Sequence, residues 1–253
     1  MNTIEKNLYE FYRIFGRIEN IKLSKTNEFE SIYAADRSWP QIVFNLNQKI
    51  EPQKIITVLA KEIENKYCSP TFVAPENYIS RNEVEILKIN AFVPIKVITG
   101  MKLIPQKDAL NNPDSECEIQ DLNDETHLVD FANLIKQEFV PSEMSFNIEI
   151  LPALKTFKEV QLTGLFYRKI LVASMMVLTN IDVAGLYFIV TKKEYQNKGF
   201  ATTLINFMVG RLYRNGIKEV VLHANHYSFG LYKKLGFTEQ NRFIIYKKLW
   251  DGK

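Results

Sequence analysis

The sequence predicts an α/β fold built twice along 253 residues, antiparallel strands leading into a strand–helix–strand–helix–strand run. Three observations predict it. Apolar runs of strand length alternate with segments whose apolar residues recur every three or four positions. A break at 104–116, "IPQKDALNNPDSE", has the composition of a turn-rich linker and no apolar period. The order of elements before that break is repeated after it. The length suits two domains, placed at 1–107 and 115–253.

In the first half, "IEKNLYEFYRIF" has helical spacing and precedes strands near "IENIKL", "SIYAA" and "QIVFNL". The helix "EPQKIITVLAKEIENKY" starts with Pro52 at a favourable early position. A strand "PTFVA", a helix "NEVEILKI" and a strand "PIKVITGMKL" complete this half.

The second half opens with a short strand, "CEIQDL", and a helix over "DETHLVDFANLIKQEF", where Leu128, Phe131, Leu134 and Ile135 share a face. A shorter helix in "NIEILPALKTF" is interrupted by Pro152. "VQLTGLFY" and "ILVASMMVLT" form a hairpin around Arg168–Lys169, and "VAGLYFIV" is a third strand after the turn "NID". A helix from about Phe200 to Asn215 repeats Phe200, Leu204, Met208 and Leu212 at every fourth position and ends at Gly216. The strand "EVVLHA", the short helix "SFGLYKKL" and the strand "FIIYKKLW" follow.

Laid over each other, the halves bring Phe44 onto Phe188, "LKINAF" onto "LYKKLGF" and "MKL" onto "KKL" at nearly constant spacing. This is read as an internal duplication, or as two unrelated α/β halves with similar element lengths. In the first copy "NQKIEP" lacks the glycine of "QNKGFA", and "LKINAF" has no tyrosine, so only the second half is equipped for chemistry.

Composition narrows the class. With 46% hydrophobic and 24% charged residues, the chain has what a globular core requires. A formal charge of +3, from 32 basic and 29 acidic residues, gives no basic surface for nucleic acid. No apolar stretch approaches the ~20 residues that span a bilayer, and the charged start lacks a signal peptide's apolar core. The expectation is therefore a cytoplasmic protein with no nucleic-acid or membrane partner. Cys68 and Cys117 match no metal spacing and read as free thiols, and the three histidines show no zinc pattern.

Three features of the second half carry chemistry. Gln196, Asn197, Lys198, Gly199, Phe200 and Ala201 leave a strand and open a helix. A helix N-terminus exposes unsatisfied N–H groups and a partial positive charge, which suits a phosphate. Gly199 permits close backbone approach, Ala201 keeps the first turn small, and Lys192, Lys193 and Lys198 add charge nearby. Asn225 follows "EVVLH", and Tyr232 lies on the next helix. In "LYKKLGF", Gly236 stops that helix and Phe237 begins the last strand. Each has a bland reading: a structural turn glycine, a core tyrosine, a helix stop.

In this order and spacing the three resemble the GCN5-related N-acetyltransferase (GNAT) superfamily over about 118–249. Thr191 through Ala201 is similar to that family's acetyl-CoA pyrophosphate loop, and Asn225, Ser228, Tyr232, Gly236 and Phe237 to its last shared motif. The resemblance implies the GNAT fold, a mixed, largely antiparallel sheet flanked by helices, with a degenerate GNAT-like copy as N-terminal domain. It implies an enzyme using acetyl-CoA as cosubstrate, without metal, to acetylate a primary amine by direct attack. Main-chain N–H groups of Gln196 to Ala201 would then hold the pyrophosphate. Ile189, Val190 and Thr191 would splay from "EVVLHA" and bond the pantetheine arm, with a backbone N–H there polarising the thioester carbonyl. Asn225 would bond the pantetheine amide, and Tyr232 would protonate the leaving thiolate.

The sequence departs from the family pattern at Asn197, where glycine is frequent, at Lys193, where proline is frequent, and in "VAGLYFIV", which lacks the carboxylate many relatives use as base. His223, Glu143 and Glu149 are the substitutes considered, beside a water chain. Met144, Phe146 and Tyr187 are candidates for an acceptor pocket. The alternative of another class is a non-catalytic CoA-sensing or partner-binding module on the same scaffold.

Overall fold

The computed structural model describes residues 2–36, 38–79, 84–106, 116–140, 142 and 144–249. Residues 107–115 of the expected linker, Glu143 and Trp250 lie outside them. The chain forms two compact units: Met1–Gly100 with Gln240–Lys253, and Met101–Glu239.

The first unit starts with α1 (Thr3–Phe15), whose N-terminal donors are closed by a reciprocal cap between Asn2 and Glu5. The strands β1 (Ile21–Lys25), β2 (Glu30–Ala34) and β3 (Ile42–Phe44) are consecutive and antiparallel. The chain then rises through α2 (Pro52–Glu64) to β4 (Thr71–Pro75), which runs parallel to β3. Next come α3 (Val84–Ile89) and β5 (Phe92–Leu103), whose last three residues belong to the second unit. The α2 face Ile55, Ile56, Leu59 and Ile63 is almost fully buried against Val43 and Phe72.

The second unit continues through β6 (Cys117–Asp121), α4 (Glu125–Phe139), α5 (Ile150–Leu154) and the antiparallel run β7 (Val160–Tyr167), β8 (Ile170–Asn180) and β9 (Val183–Thr191). Asp124 caps α4 by accepting from Thr126 and His127 N–H groups. After β9 the chain passes through α6 (Phe200–Arg214) to β10 (Glu219–Ala224), parallel to β9, then α7 (Phe229–Lys234) and β11 (Thr238–Lys248). The apolar period read in α6 faces inward: Leu204, Ile205, Met208, Val209 and Leu212 are at most 3% exposed and pack with Val172, Met175 and Val220. Arg211 on the same helix holds Asp121 of β6 through two bonds of 2.9 and 3.1 Å.

Two features depart from the sequence division. From Gln240 on, β11 belongs to the first unit, where Phe243–Lys247 pair antiparallel with Pro75–Thr71 of β4. The boundary falls inside β5, at Gly100/Met101, rather than in the polar linker. Partner strands are selected by packing across long sequence separations, which composition cannot report. Both units nevertheless share a succession: three antiparallel strands, then a helix leading to a parallel neighbour of the third.

Candidate active site

The site is built where β9 and β10 part. Their parallel ladder runs from Val183–Glu219 to Leu186–Leu222 and ends there, while β9 continues to Thr191. On its other side β9 stays paired with β8, but with a bulge: Ser174 opposes Val190 and Met176 opposes Tyr187, so Phe188 and Ile189 face Met175 alone. Phe188 sits at φ 51°, a conformation costly for a bulky side chain. Its ring is fixed by Phe139 at 5.5 Å and Phe131 at 6.5 Å, which hold the bulge from the α4 side. Nothing in the residue types of "VAGLYFIV" announces this bulge.

Beyond Thr191 a single 3-10 turn, Lys193–Tyr195, carries the chain to α6. Gln196 Nε2 donates to Thr191 O at 3.1 Å and Lys198 Nζ to Glu194 O at 2.9 Å, so both side chains brace the loop. Asn197 at φ 61° and Gly199 at φ 85° are both left-handed. Asn tolerates that region through its short polar side chain, and glycine enters it without penalty. A Cβ on Gly199 would meet nothing within 4 Å, so the demand for glycine there is conformational.

Gly199 caps α6 with no side-chain bond, the first turn carries no acidic residue, and the first helical bond is Thr203 N–H to Gly199 O at 2.9 Å. The N–H groups of Gly199, Phe200, Ala201 and Thr202 therefore precede the helical ladder uncapped. Of the six residues expected to donate, Gln196 already gives its N–H to Lys193 O at 3.3 Å. The Phe200 ring packs between Tyr167 and Tyr195, 5.4 and 6.0 Å away, so its side chain anchors the loop.

Across the opening, Asn225 follows β10. Its Oδ1 accepts from Tyr227 N–H at 3.0 Å and Ser228 N–H at 2.9 Å, and lies 3.1 Å from Ser228 Oγ. The carbonyl end of this amide thus holds the turn that leads into α7, and Nδ2 is the end left for a ligand. Tyr232 is 6% exposed and packs against Phe237 at 6.0 Å. Burial pushes its phenol up to about 12, against the opposing bond from Ser228, so it is protonated at neutral pH. His223 stacks on Tyr187 at 6.1 Å; the residue is half-buried, but its ring nitrogens are shielded. Burial drives it down to about 3, which makes it a poor base near neutrality. Glu149 is exposed beside α5, and Tyr187 is buried while Met144 and Phe146 are half-buried. Among the described residues no group of three His, Cys, Asp or Glu converges, and no helix is long and apolar enough to cross a membrane.

Parallel strands whose ladder ends early, a bulge beside them and an uncapped helix start together form a candidate anion site at the carboxyl ends of the strands. The model of the acetyltransferase (GNAT) family matches residues 128–237. The match covers less than half of the chain and makes that part similar to GNAT domains, whose family is one of acetyltransferases. No curated protein matches the sequence. Solved structures share the fold. A GCN5-related N-acetyltransferase from Kribbella flavida is 8% identical with a TM-score of 0.71, covering 100% of this chain and 97% of that one. One from Sphaerobacter thermophilus is 12% identical with a TM-score of 0.64, covering 95% and 84%. A tandem GNAT protein from the clavulanic acid biosynthesis pathway is 12% identical with a TM-score of 0.60, covering 100% and 90%.

Proposed function

We propose that this chain is an N-acetyltransferase that moves the acetyl group of acetyl-CoA to a primary amine by direct attack. The observation that carries the reading is the row of uncapped N–H groups opening α6 beside the point where β9 leaves β10. The open space at Gly199 and the lack of an acidic residue in that turn fit a diphosphate. Acetyl-CoA supplies the activated acyl carbonyl and a thiolate leaving group.

The protein's own residues divide the work. Asn197 to Ala201, with Thr202, hold the pyrophosphate through main-chain donors. Ile189, Val190 and Thr191 offer β9 main-chain groups to the pantetheine arm, and an N–H at the bulge polarises the carbonyl. Asn225 adds its Nδ2. Tyr232 gives its proton to the departing sulfur, and a phenol held neutral by burial is available for that transfer. No nucleophilic Ser or Cys is required. The first unit is read as a degenerate copy, supported by its matching succession of strands and helices. Neither Cys68 nor Cys117 forms a disulfide among the described residues, in keeping with a cytoplasmic setting.

Tyr232→Phe is expected to lower turnover roughly 10²–10⁴-fold, the usual weight of general acid catalysis, while CoA affinity holds. Free-thiol release against an amine panel, beside calorimetry with CoA, measures both. Unchanged turnover removes Tyr232 from the mechanism. The burial of Tyr232 favours a second reading, a CoA-binding module without transfer. Tight acetyl-CoA binding with no thiol release from any amine selects it.

A further inference from the structure

The first unit holds a cavity of about 480 Å³, within the size range of small-metabolite sites. It lies between the turn after β1 and the loop after β3. Both strands run antiparallel to β2, so their carboxyl ends open on the same side. Ligands of open α/β sheets collect outside such ends.

One wall of the cavity is Glu30, whose side chain is 4% exposed. Arg13 donates to both its oxygens at 2.7 Å and Asn45 Nδ2 to Oε1 at 2.7 Å. The carboxylate is thereby spent inside the protein. The lining lysines are not. Lys25 is 75% exposed and reaches Glu30 only at 3.8 Å, and Lys49 makes no ion pair among the described residues. Between them the Asn27 amide has no side-chain bond among the described residues, and the Oδ1 of Asn45 accepts none. The cavity therefore offers positive charge and amide groups around a neutralised wall.

From this we propose that the cavity binds a small organic anion, with Lys25 and Lys49 on its carboxylate or phosphate and Asn27 and Asn45 on its hydroxyl or amino groups. CoA is not the occupant. Three of the main-chain donors there are already used: Asn47 N–H bonds Glu28 O at 2.8 Å, Lys49 N–H bonds Asn47 Oδ1 at 3.1 Å, and Ile50 N–H bonds Asn47 O at 2.9 Å. Pro52, which starts α2, has no N–H. The inference is independent of the acetyl-transfer reading.

Calorimetry on the full chain at low salt, with citrate, L-glutamate and glycerol 3-phosphate as probes, tests it with and without saturating CoA. At least one probe is expected to bind one-to-one, indifferent to CoA, and the Lys25→Ala/Lys49→Ala variant to weaken it by about tenfold or more. The carboxylate and phosphate probes distinguish the two head groups. Both lysines are exposed, so the variant's thermal melt serves as the check on folding. The proposal is overturned if none of the probes binds with a dissociation constant below about 10 mM. Binding that survives the double variant, or that CoA displaces, overturns it equally.

Discussion

The loops after β3 and β9 occupy the same place in their units, yet they present opposite surfaces. Each leaves a strand held antiparallel on one side and parallel on the other, and each enters a long helix. After β3, Asn47 ties the loop to the β1–β2 turn with a 2.8 Å bond to Asn27 O, the N–H groups of Asn47, Lys49 and Ile50 are bonded within the protein, and Pro52 removes one donor from the helix start. After β9, Asn197 and Gly199 turn the backbone left-handed and leave the first donors of α6 open. The fold supplies the position twice. Whether that position grips an anion through its main chain depends on where a few N–H groups spend their bonds.

The sharpest way to break the comparison is Ala201→Asp. A carboxylate in the first turn repels the diphosphate, and CoA affinity is expected to fall ~100-fold, about 2.7 kcal/mol. The helix itself gains ~0.3–1 kcal/mol from an acid at its positive end, so the melting temperature should not drop. Calorimetry and a thermal melt read the two effects; unaltered CoA affinity would detach the loop from the ligand.

Gly199→Ala is the next largest. Space is open for the methyl, so the cost is the left-handed backbone alone, ~1–2 kcal/mol. About tenfold weaker CoA binding should accompany it. A variant that binds as tightly as the parent would mean that φ 85° is incidental.

Asn47→Ala probes the closed loop. Losing its side-chain bonds to Asn27 O and Lys49 N–H should cost ~1 kcal/mol in denaturant unfolding, with no new CoA site, because Pro52 still withholds a donor. A second equivalent of bound CoA would show the difference between the loops to be shallower than drawn here.

The smallest effect is on acid stability. His223 on β10 is neutral in the fold, its ring held down at about 3 by burial, whereas the unfolded ring protonates near 6.5. Its contribution is complete above pH 6.5 and is lost as pH falls toward 3. β4, the corresponding strand, has no titrating side chain. His223→Gln should flatten the acid limb of the stability profile measured by urea unfolding between pH 7 and 4, and an unchanged limb would place the effect elsewhere.

Much of the candidate site's local backbone was legible because its signals are local. Gly199 before a run of helix formers, the four-residue period through Leu204, Met208 and Leu212, and the Asn225–Tyr232–Gly236 spacing each act within a turn or two of chain. The turn held by Asn225 Oδ1 is local as well, and it commits one end of the side chain that was expected to bond the pantetheine amide, leaving Nδ2 for that role. The bulge at Phe188 was not legible, because rings from α4 on another part of the chain sustain it. His223 looked like a base because its ordinary pKa is near neutral, and burial, which sequence does not report, removed that property.

By itself the sequence determined the alternation of strands and helices, the open start of α6 and the likeness to acetyltransferases. Those depend on propensity, periodicity and turn chemistry, which are set by neighbours along the chain. Tertiary structure alone decided that Gln240–Lys248 completes the first unit and that Lys25 and Lys49 line one cavity. Strand pairing and burial are contests among distant segments, and the winner depends on packing that no short stretch contains.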